Sequence, residues 1–164
     1  KPDKRVQYFS LGETSDYVYK RPGLDEFLEY VCSAFDVFIF TAATKGYADS
    51  IIDHICPSID GDHRLYRDSC YPDGEYLRKD ASMLNRKKEE FIQVDDNSRA
   101  YSRNRENTLI IERWRGFPGD NALLGWLLPI LKACENADDV RPILLNARVQ
   151  RRMSDVSPYT IQKY

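Results

Sequence analysis

Two short stretches of nearly unbroken apolar character, Phe35-Asp36-Val37-Phe38-Ile39-Phe40 and Asn107-Thr108-Leu109-Ile110-Ile111, most strongly limit how this chain can fold. Each has the length of a strand, and a run without polar alternation is what a strand covered on both faces requires. Helical patterns flank them. Leu24, Phe27, Leu28 and Val31 recur at three- and four-residue spacing behind Pro22, a residue favoured in the first turn of a helix, and this helix is predicted to end near Ala34. Residues 46–54 place Tyr47, Ile51 and Ile52 on one side and stop before Pro57. Residues 122–134 present Leu123, Leu124, Leu127, Leu128 and Leu131 as a broad buried face behind a cap at Asp120 or Asn121. Strands alternating with helices predict an α/β fold built on a parallel, doubly wound sheet.

The remaining segments complete that frame. Val6-Gln7-Tyr8-Phe9 and Tyr17-Val18-Tyr19, separated by turn-like sequence from Leu11 to Asp16, predict a β-hairpin. Arg64-Leu65-Tyr66 is a short strand, residues 71–76 carry turn chemistry, residues 79–84 form a loop with a helical turn, and residues 114–120 form another loop. A length of 164 residues fits one α/β domain over residues 1–136, followed by a polar, basic extension over 137–164 with a helix around Ile143 to Met153. Arg148, Arg151 and Arg152 in that extension are expected on a solvated helical face.

Composition narrows the partners. Charged residues make up 30% of the chain but cancel to a net charge of −2, so no global field favours nucleic acid or an anionic membrane. The four cysteines lack the paired spacing of a zinc site, and Cys32, Cys56 and Cys134 sit in apolar patterns as small core hydrophobes. The longest apolar run, residues 122–131, is too short to span a bilayer and is broken by Pro129. No signal or transit peptide is recognisable, and any membrane attachment is expected through a segment outside this sequence.

The chemistry concentrates at strand ends. Phe91-Ile92-Gln93-Val94 runs into Asp95-Asp96-Asn97-Ser98, and ligands of open α/β sheets bind beyond the carboxyl ends of the strands. Thr41 follows the strand ending at Phe40, and Lys79 lies in a loop able to reach the same edge. A hydroxyl to bind a phosphate oxygen, a lysine to neutralise phosphate charge and a carboxylate pair to hold magnesium are parts suited to phosphoryl transfer. Taken singly, the same residues fit a helix cap at Thr41, a solvated charge at Lys79 and a capped turn at Asp95-Asp96.

Several separated motifs carry a family resemblance in order. Tyr19 to Leu28, Phe40-Thr41-Ala42-Ala43-Thr44 with Tyr47-Ala48-Asp49, Leu65 to Cys70, Lys79-Asp80, Val94 to Ser98, Trp114 and Leu127-Leu128-Pro129 resemble the NLI-interacting-factor-like phosphatase domain of RNA polymerase II C-terminal-domain phosphatases, within the haloacid dehalogenase superfamily. The resemblance implies a Rossmann-like sheet with a β-hairpin insertion, Thr41 and Lys79 as phosphate-binding catalytic residues, and Asp95 and Asp96 as magnesium ligands. Lys20-Arg21-Pro22-Gly23, Leu84-Asn85-Arg86 and Asp139-Val140-Arg141-Pro142-Ile143-Leu144 look like the mitochondrial inner-membrane presequence-translocase receptor branch. That branch implies presequence peptides and translocase channel subunits as partners, in the intermembrane space. The phosphatase branch implies a phosphorylated protein substrate in the nucleus or cytoplasm.

One expected motif is missing. The resemblance implies two aspartates one residue apart at the end of an apolar strand upstream of the hairpin, the first a phosphoryl-accepting nucleophile and the second a general acid. The sequence holds only Asp60-Gly61-Asp62, in turn-like context. The family's central strand, between those ending at Thr41 and Asp95, is therefore expected to come from an upstream segment or another chain, or else Val6 to Phe9 fills the gap. Without the nucleophile, these 164 residues are expected to have no phosphatase activity of their own.

Overall fold

The computed structural model describes residues 5–12, 16–100 and 103–155. Among the described residues, two antiparallel hairpins, two parallel strand pairs and four α-helices form an α/β fold. β1 (Tyr8–Ser10) pairs antiparallel with β2 (Tyr17–Tyr19), Tyr8 opposite Tyr19, so the predicted hairpin is present while its turn residues 13–15 lie outside the described residues. Alternation along β1 turns Phe9 inward, where its ring stacks on His54 with centroids 3.8 Å apart. Tyr8, Tyr17 and Tyr19 share the outer face and remain 48%, 49% and 38% exposed. Because β1 is committed to β2, the alternative in which Val6 to Phe9 fills the centre of the sheet does not hold.

α1 (Leu24–Ala34) begins two residues later than Pro22 suggests, because Gly23 occupies the N-cap at φ 79° and Pro22 precedes it. This glycine is required twice over. Its φ is left-handed, and a Cβ there would lie 2.6 Å from Cγ of Leu124. β3 (Ile39–Phe40) then pairs in parallel with β4 (Arg64–Leu65), with α2 (Lys45–Ile55) as the crossover. In α2 it is Ala48 and Ile52 that face the core; Tyr47, expected inward, is 56% exposed.

A third pair of strands, β5 (Tyr71–Asp73) and β6 (Tyr76–Arg78), closes antiparallel around the expected turn. β7 (Gln93–Asp95) pairs in parallel with β8 (Thr108–Ile110). These strands are shorter than the apolar runs that announce them, and neither β3 nor β7 is sealed on all sides: β3 is half-buried and Val94 is exposed. The reason is in the pairing. Among the described residues no strand lies between β3 and β7, so β3 bonds only to β4 and β7 only to β8.

The main core lies on the β8 side. Leu109, Leu127 and Leu144 are fully buried there, with Val31, Leu123 and Leu131 around them, whereas Leu124 is only half-buried. A second, smaller cluster of Ala48, Ile52, Cys56, Ile59 and Tyr66 lies on the β4 side. Leu28, Cys32 and Val37 pack against both.

The long leucine helix is not uniform. Residues Ala122–Leu127 form a π-helix before α3 (Leu128–Cys134), and the Leu128 N–H donates to Leu123 O, five residues back. Pro129 has no N–H to offer Gly125 O, so the turn before it widens. At the helix start, Asp120 rather than Asn121 supplies the side-chain cap, accepting from the Ala122 N–H at 3.2 Å.

α4 (Arg141–Asp155) contains the helix expected in the basic extension, and residues 156–164 lie outside the described ones. Val140, Leu144 and Ala147 are buried in the main core. The solvated face expected for Arg148 and Arg151 does not hold. Ile111 N–H donates to Asp95 O, so by alternation the carbonyls of Thr108 and Ile110 point away from β7, toward the outer edge of β8. Arg148 Nη1 donates to the carbonyls of Arg105, Glu106 and Thr108, and Arg151 Nη1 donates to that of Ile110 at 2.8 Å. The Arg151 guanidinium also lies over the Trp126 ring, 4.2 Å from its centroid. Arg152 alone of the three is exposed.

Gly23→Ala is expected to destabilise the fold by roughly 2–4 kcal/mol, since it combines left-handed backbone strain with a clash against a branched core side chain. Denaturant melts of the two proteins check it; unchanged midpoints would contradict this account of the α1 start.

Candidate functional site

Thr41 follows β3 directly and extends its ladder, its N–H donating to Leu65 O at 2.9 Å. Its Oγ1 accepts from the Ala43 N–H at 3.1 Å, closing a turn before α2 and leaving the hydroxyl proton to be donated elsewhere. Arg67 straps this turn from outside: its Nε donates to Ala42 O and its backbone N–H to Ala43 O. The start of α2 is fixed by Asp49, which accepts from Lys45 Nζ, from the Tyr66 hydroxyl at 2.5 Å and from Arg64. These bonds, led by that of Lys45, hold the Asp49 carboxyl far below the usual range.

Lys79 arrives from the second hairpin. Its backbone N–H donates to Ala100 O at 2.8 Å, and the following Asp80 anchors the loop by accepting from the Ser82 N–H, Arg103 and Asn104. Those bonds, with Ser82 foremost, hold Asp80 down at about 2 against the opposing effect of burial. With the loop so fixed, Lys79 Nζ lies 2.6 Å from Oδ2 of Asp95 and 6.0 Å from the centroid of the Phe40 ring. One side chain therefore touches the ends of both parallel pairs. Its charge and that of Asp95 are nearly enclosed, 11% and 10% exposed.

The two aspartates separate. Asp95 is turned inward, with Oδ2 on Lys79 and Oδ1 accepting from the Asn97 N–H at 2.8 Å. Asp96 points the other way, as successive residues leaving a strand do, and pairs with Arg113 at 2.9 Å on a more exposed surface. The structure thus brings Lys79 and Asp95 together beside the end of β3, which Thr41 follows, and leaves Asp96 outside that pair.

A magnesium ion asks for several oxygen ligands in octahedral array. The residues present do not fit one by themselves. Asp95 bonds Lys79 and the Asn97 N–H, Asp96 pairs with Arg113, and the described residues contain no group of three carboxylate, histidine or cysteine side chains able to hold a metal. Asp60 and Asp62, the remaining Asp-x-Asp, are exposed at a single 3₁₀ turn.

Cys70 is a member of this neighbourhood that sequence patterning does not single out. Its Sγ contacts the carbonyls of Thr41 and Tyr66 at 3.9 and 3.8 Å. Burial raises the thiol pKa, opposed by the charges of Lys79 and Arg67. Its only sequence signal is its place in the Leu65 to Cys70 motif.

Lys79→Met leaves the Asp95 carboxylate enclosed without its cation, and the expected loss is about 3–5 kcal/mol of stability. The double variant Lys79→Met, Asp95→Leu should recover part of it; equal melting midpoints for wild type and the single variant would show that the pair carries no structural weight.

Comparison with known proteins gives the family and the fold. A family model described as NLI interacting factor-like phosphatase matches residues 1–141. A CTD small phosphatase-like protein 2 from Dictyostelium discoideum is 38% identical over 136 residues, covering 82% of this chain and 24% of that protein. The mitochondrial import inner membrane translocase subunit TIM50 of Candida albicans is 37% identical over 131 residues, covering 76% and 27% respectively. The fission yeast RNA polymerase II CTD phosphatase Fcp1-R271A bound to beryllium fluoride superposes with a TM-score of 0.53 at 23% identity, over 92% of this chain and 45% of that one, a likeness of fold. The chain spans about a quarter of the length of the two curated relatives. It belongs to the NLI interacting factor-like phosphatase family.

Proposed function

We propose that this domain is the presequence-receiving part of a mitochondrial inner-membrane protein translocase, built on a phosphatase-like scaffold. The observation that carries the reading is the state of Asp95. A carboxylate with one oxygen on an enclosed lysine and the other on a backbone N–H holds a fold together, and among the described residues no group of three metal-ligating side chains stands with it. Similarity at 35–37% identity to fungal proteins named as translocase subunit TIM50 supports the same direction. In this reading the partners are cationic amphipathic presequences and channel subunits, and the domain faces the intermembrane space. No helix among the described residues is long and apolar enough to cross a membrane, so attachment would come from another segment.

A second reading is favoured by one observation, the Lys79–Asp95 pair beside the end of β3, the strand that Thr41 follows. It is a magnesium-dependent protein serine/threonine phosphatase acting through an aspartyl-phosphate, in the nucleus or cytoplasm. There Lys79 would leave Asp95 for a phosphate oxygen and the Thr41 hydroxyl would donate its proton to another. The nucleophile and the further metal ligand would have to come from outside the described residues.

Fluorescence titration with a basic amphipathic presequence peptide is expected to saturate and to weaken roughly threefold or more as salt rises from about 50 to about 250 mM. Linear, salt-independent signal, equal to that of a scrambled peptide, would overturn the receptor reading. In parallel, the 164-residue chain is expected to release no phosphate from a phosphoserine peptide with magnesium present. Release that disappears in Asp95→Asn would establish the phosphatase reading instead.

A further inference from the structure

Cys32 lies on α1, and Cys56 is the residue that closes α2. Twenty-four positions separate them in sequence, yet their Sγ atoms are 3.5 Å apart. Both are free thiols. Cys56 is buried, with its Sγ also 3.3 Å from Oγ of Ser58, while Cys32 is half-buried. Both sulfur-bearing residues line one cavity of about 470 Å³, walled by Leu28, Ile55 and Pro57 and open to solvent. The other ionisable groups on its wall are Asp25 and Glu29.

We propose that Cys32 and Cys56 form a reversible redox pair that closes to a disulfide on reaction with a small-molecule disulfide oxidant, stapling α1 to the end of α2. Closure needs the sulfurs to approach by about 1.5 Å, from van der Waals contact to bonding distance. The cavity admits the oxidant to the more accessible sulfur. Cys32 gives its proton to water, and its thiolate attacks one sulfur of the oxidant. The oxidant's S–S bond breaks, and the departing thiolate takes up a proton. Cys56 then loses its proton and attacks Sγ of Cys32 in the mixed disulfide, expelling the second thiol. Two protein thiols are oxidised by two electrons, and one disulfide oxidant is reduced to two thiols.

The placement gives the bond a mechanical meaning. Cys32 packs against both hydrophobic clusters, which meet through it and through Leu28 and Val37. A covalent link there fixes the half that carries Thr41 relative to the half that carries Asp95. Burial, with help from the neighbouring thiol, pushes Cys32 up to about 11, so the uncatalysed reaction is slow at neutral pH and accelerates as pH rises.

The test uses the intact, reduced protein incubated with oxidised glutathione, quenched by alkylation and mapped as peptides without reduction. The expected product is a peptide pair joined through Cys32 and Cys56, two hydrogens lighter than the separate peptides and reversed by dithiothreitol. It should form faster at about pH 9 than at about pH 7, and its formation should raise the melting midpoint by roughly 5–10 °C. Cys56→Ser should stop the reaction at a glutathione adduct on Cys32, and Cys70→Ser should leave the bridge unchanged. A stable adduct on Cys32 in the unmutated protein, two unreacted thiols, a bridge to Cys70 or Cys134, or a bridge that leaves the midpoint unmoved would each overturn the proposal.

Discussion

The enclosed ion pair of Lys79 and Asp95 joins parts of the molecule that backbone hydrogen bonding leaves separate. β3 and β7 end near the same point, since Lys79 Nζ packs beside the Phe40 ring and bonds Asp95, but no ladder runs between the two strands. Removing two opposite charges from water is costly, and the cost is offset only when geometry is tight and the remaining lone pairs are satisfied. Here both conditions are met by neighbours whose own positions are fixed. The Asn97 N–H takes the second oxygen of Asp95, the Ala100 carbonyl holds the Lys79 backbone, and Asp80 ties the next residues to Arg103 and Asn104. The loop from β6 to the 3₁₀ turn at Ala81–Leu84 is thus an arm that delivers one charge to one place.

Arginine performs the corresponding task at the periphery. Arg21 makes a two-toothed contact with Asp120 and donates to Glu112 O, which fastens the 112–120 loop to the start of α1. Arg141 reaches both Asp139 and Glu89, and Val140 N–H donates to Glu89 O, so the beginning of α4 is pinned to the turn before β7. Arg148 and Arg151 occupy the outer carbonyl edge of β8, where another strand could otherwise add. Short strands leave many carbonyls without ladder partners, and long, always-charged side chains with several donors are well suited to supply them. The chain's high charge content and near-zero net charge are two aspects of this internal use.

These contacts mark the boundary of what the sequence discloses. Periodicity locates α1, α2, the leucine helix and the parallel strands, because burial of one face is a local pattern. The meeting of Lys79 and Asp95 beside the end of β3 is legible because strand ends gather on one edge of an α/β sheet. The separation of Asp95 from Asp96 is legible only in part: alternation predicts opposite directions, but Arg113 as the partner of Asp96 depends on how β8 continues. Nothing local could reveal that Arg148 and Arg151 find carbonyls some forty residues away, or that Cys32 and Cys56 meet across two helices. Tyr47 shows the converse, since an aromatic at helical spacing faces out here while Ala48 supplies the packed surface.

The motif Asp139-Val140-Arg141-Pro142-Ile143-Leu144 also changes meaning once its contacts are known. Arg141 closes on both Asp139 and Glu89, and Val140 and Leu144 are buried, so the motif docks a helix. The same reasoning applies to the three strand-end residues. Thr41 closes a turn, and Lys79 and Asp95 join the two strand pairs; each would be retained for the fold even where no phosphoryl group is transferred. Their presence therefore suits an enzyme without requiring one. What separates the two is whether Asp95 can release an oxygen without loosening the junction it maintains, and a carboxylate this enclosed can do so only if another cation or donor replaces Lys79 at the same moment.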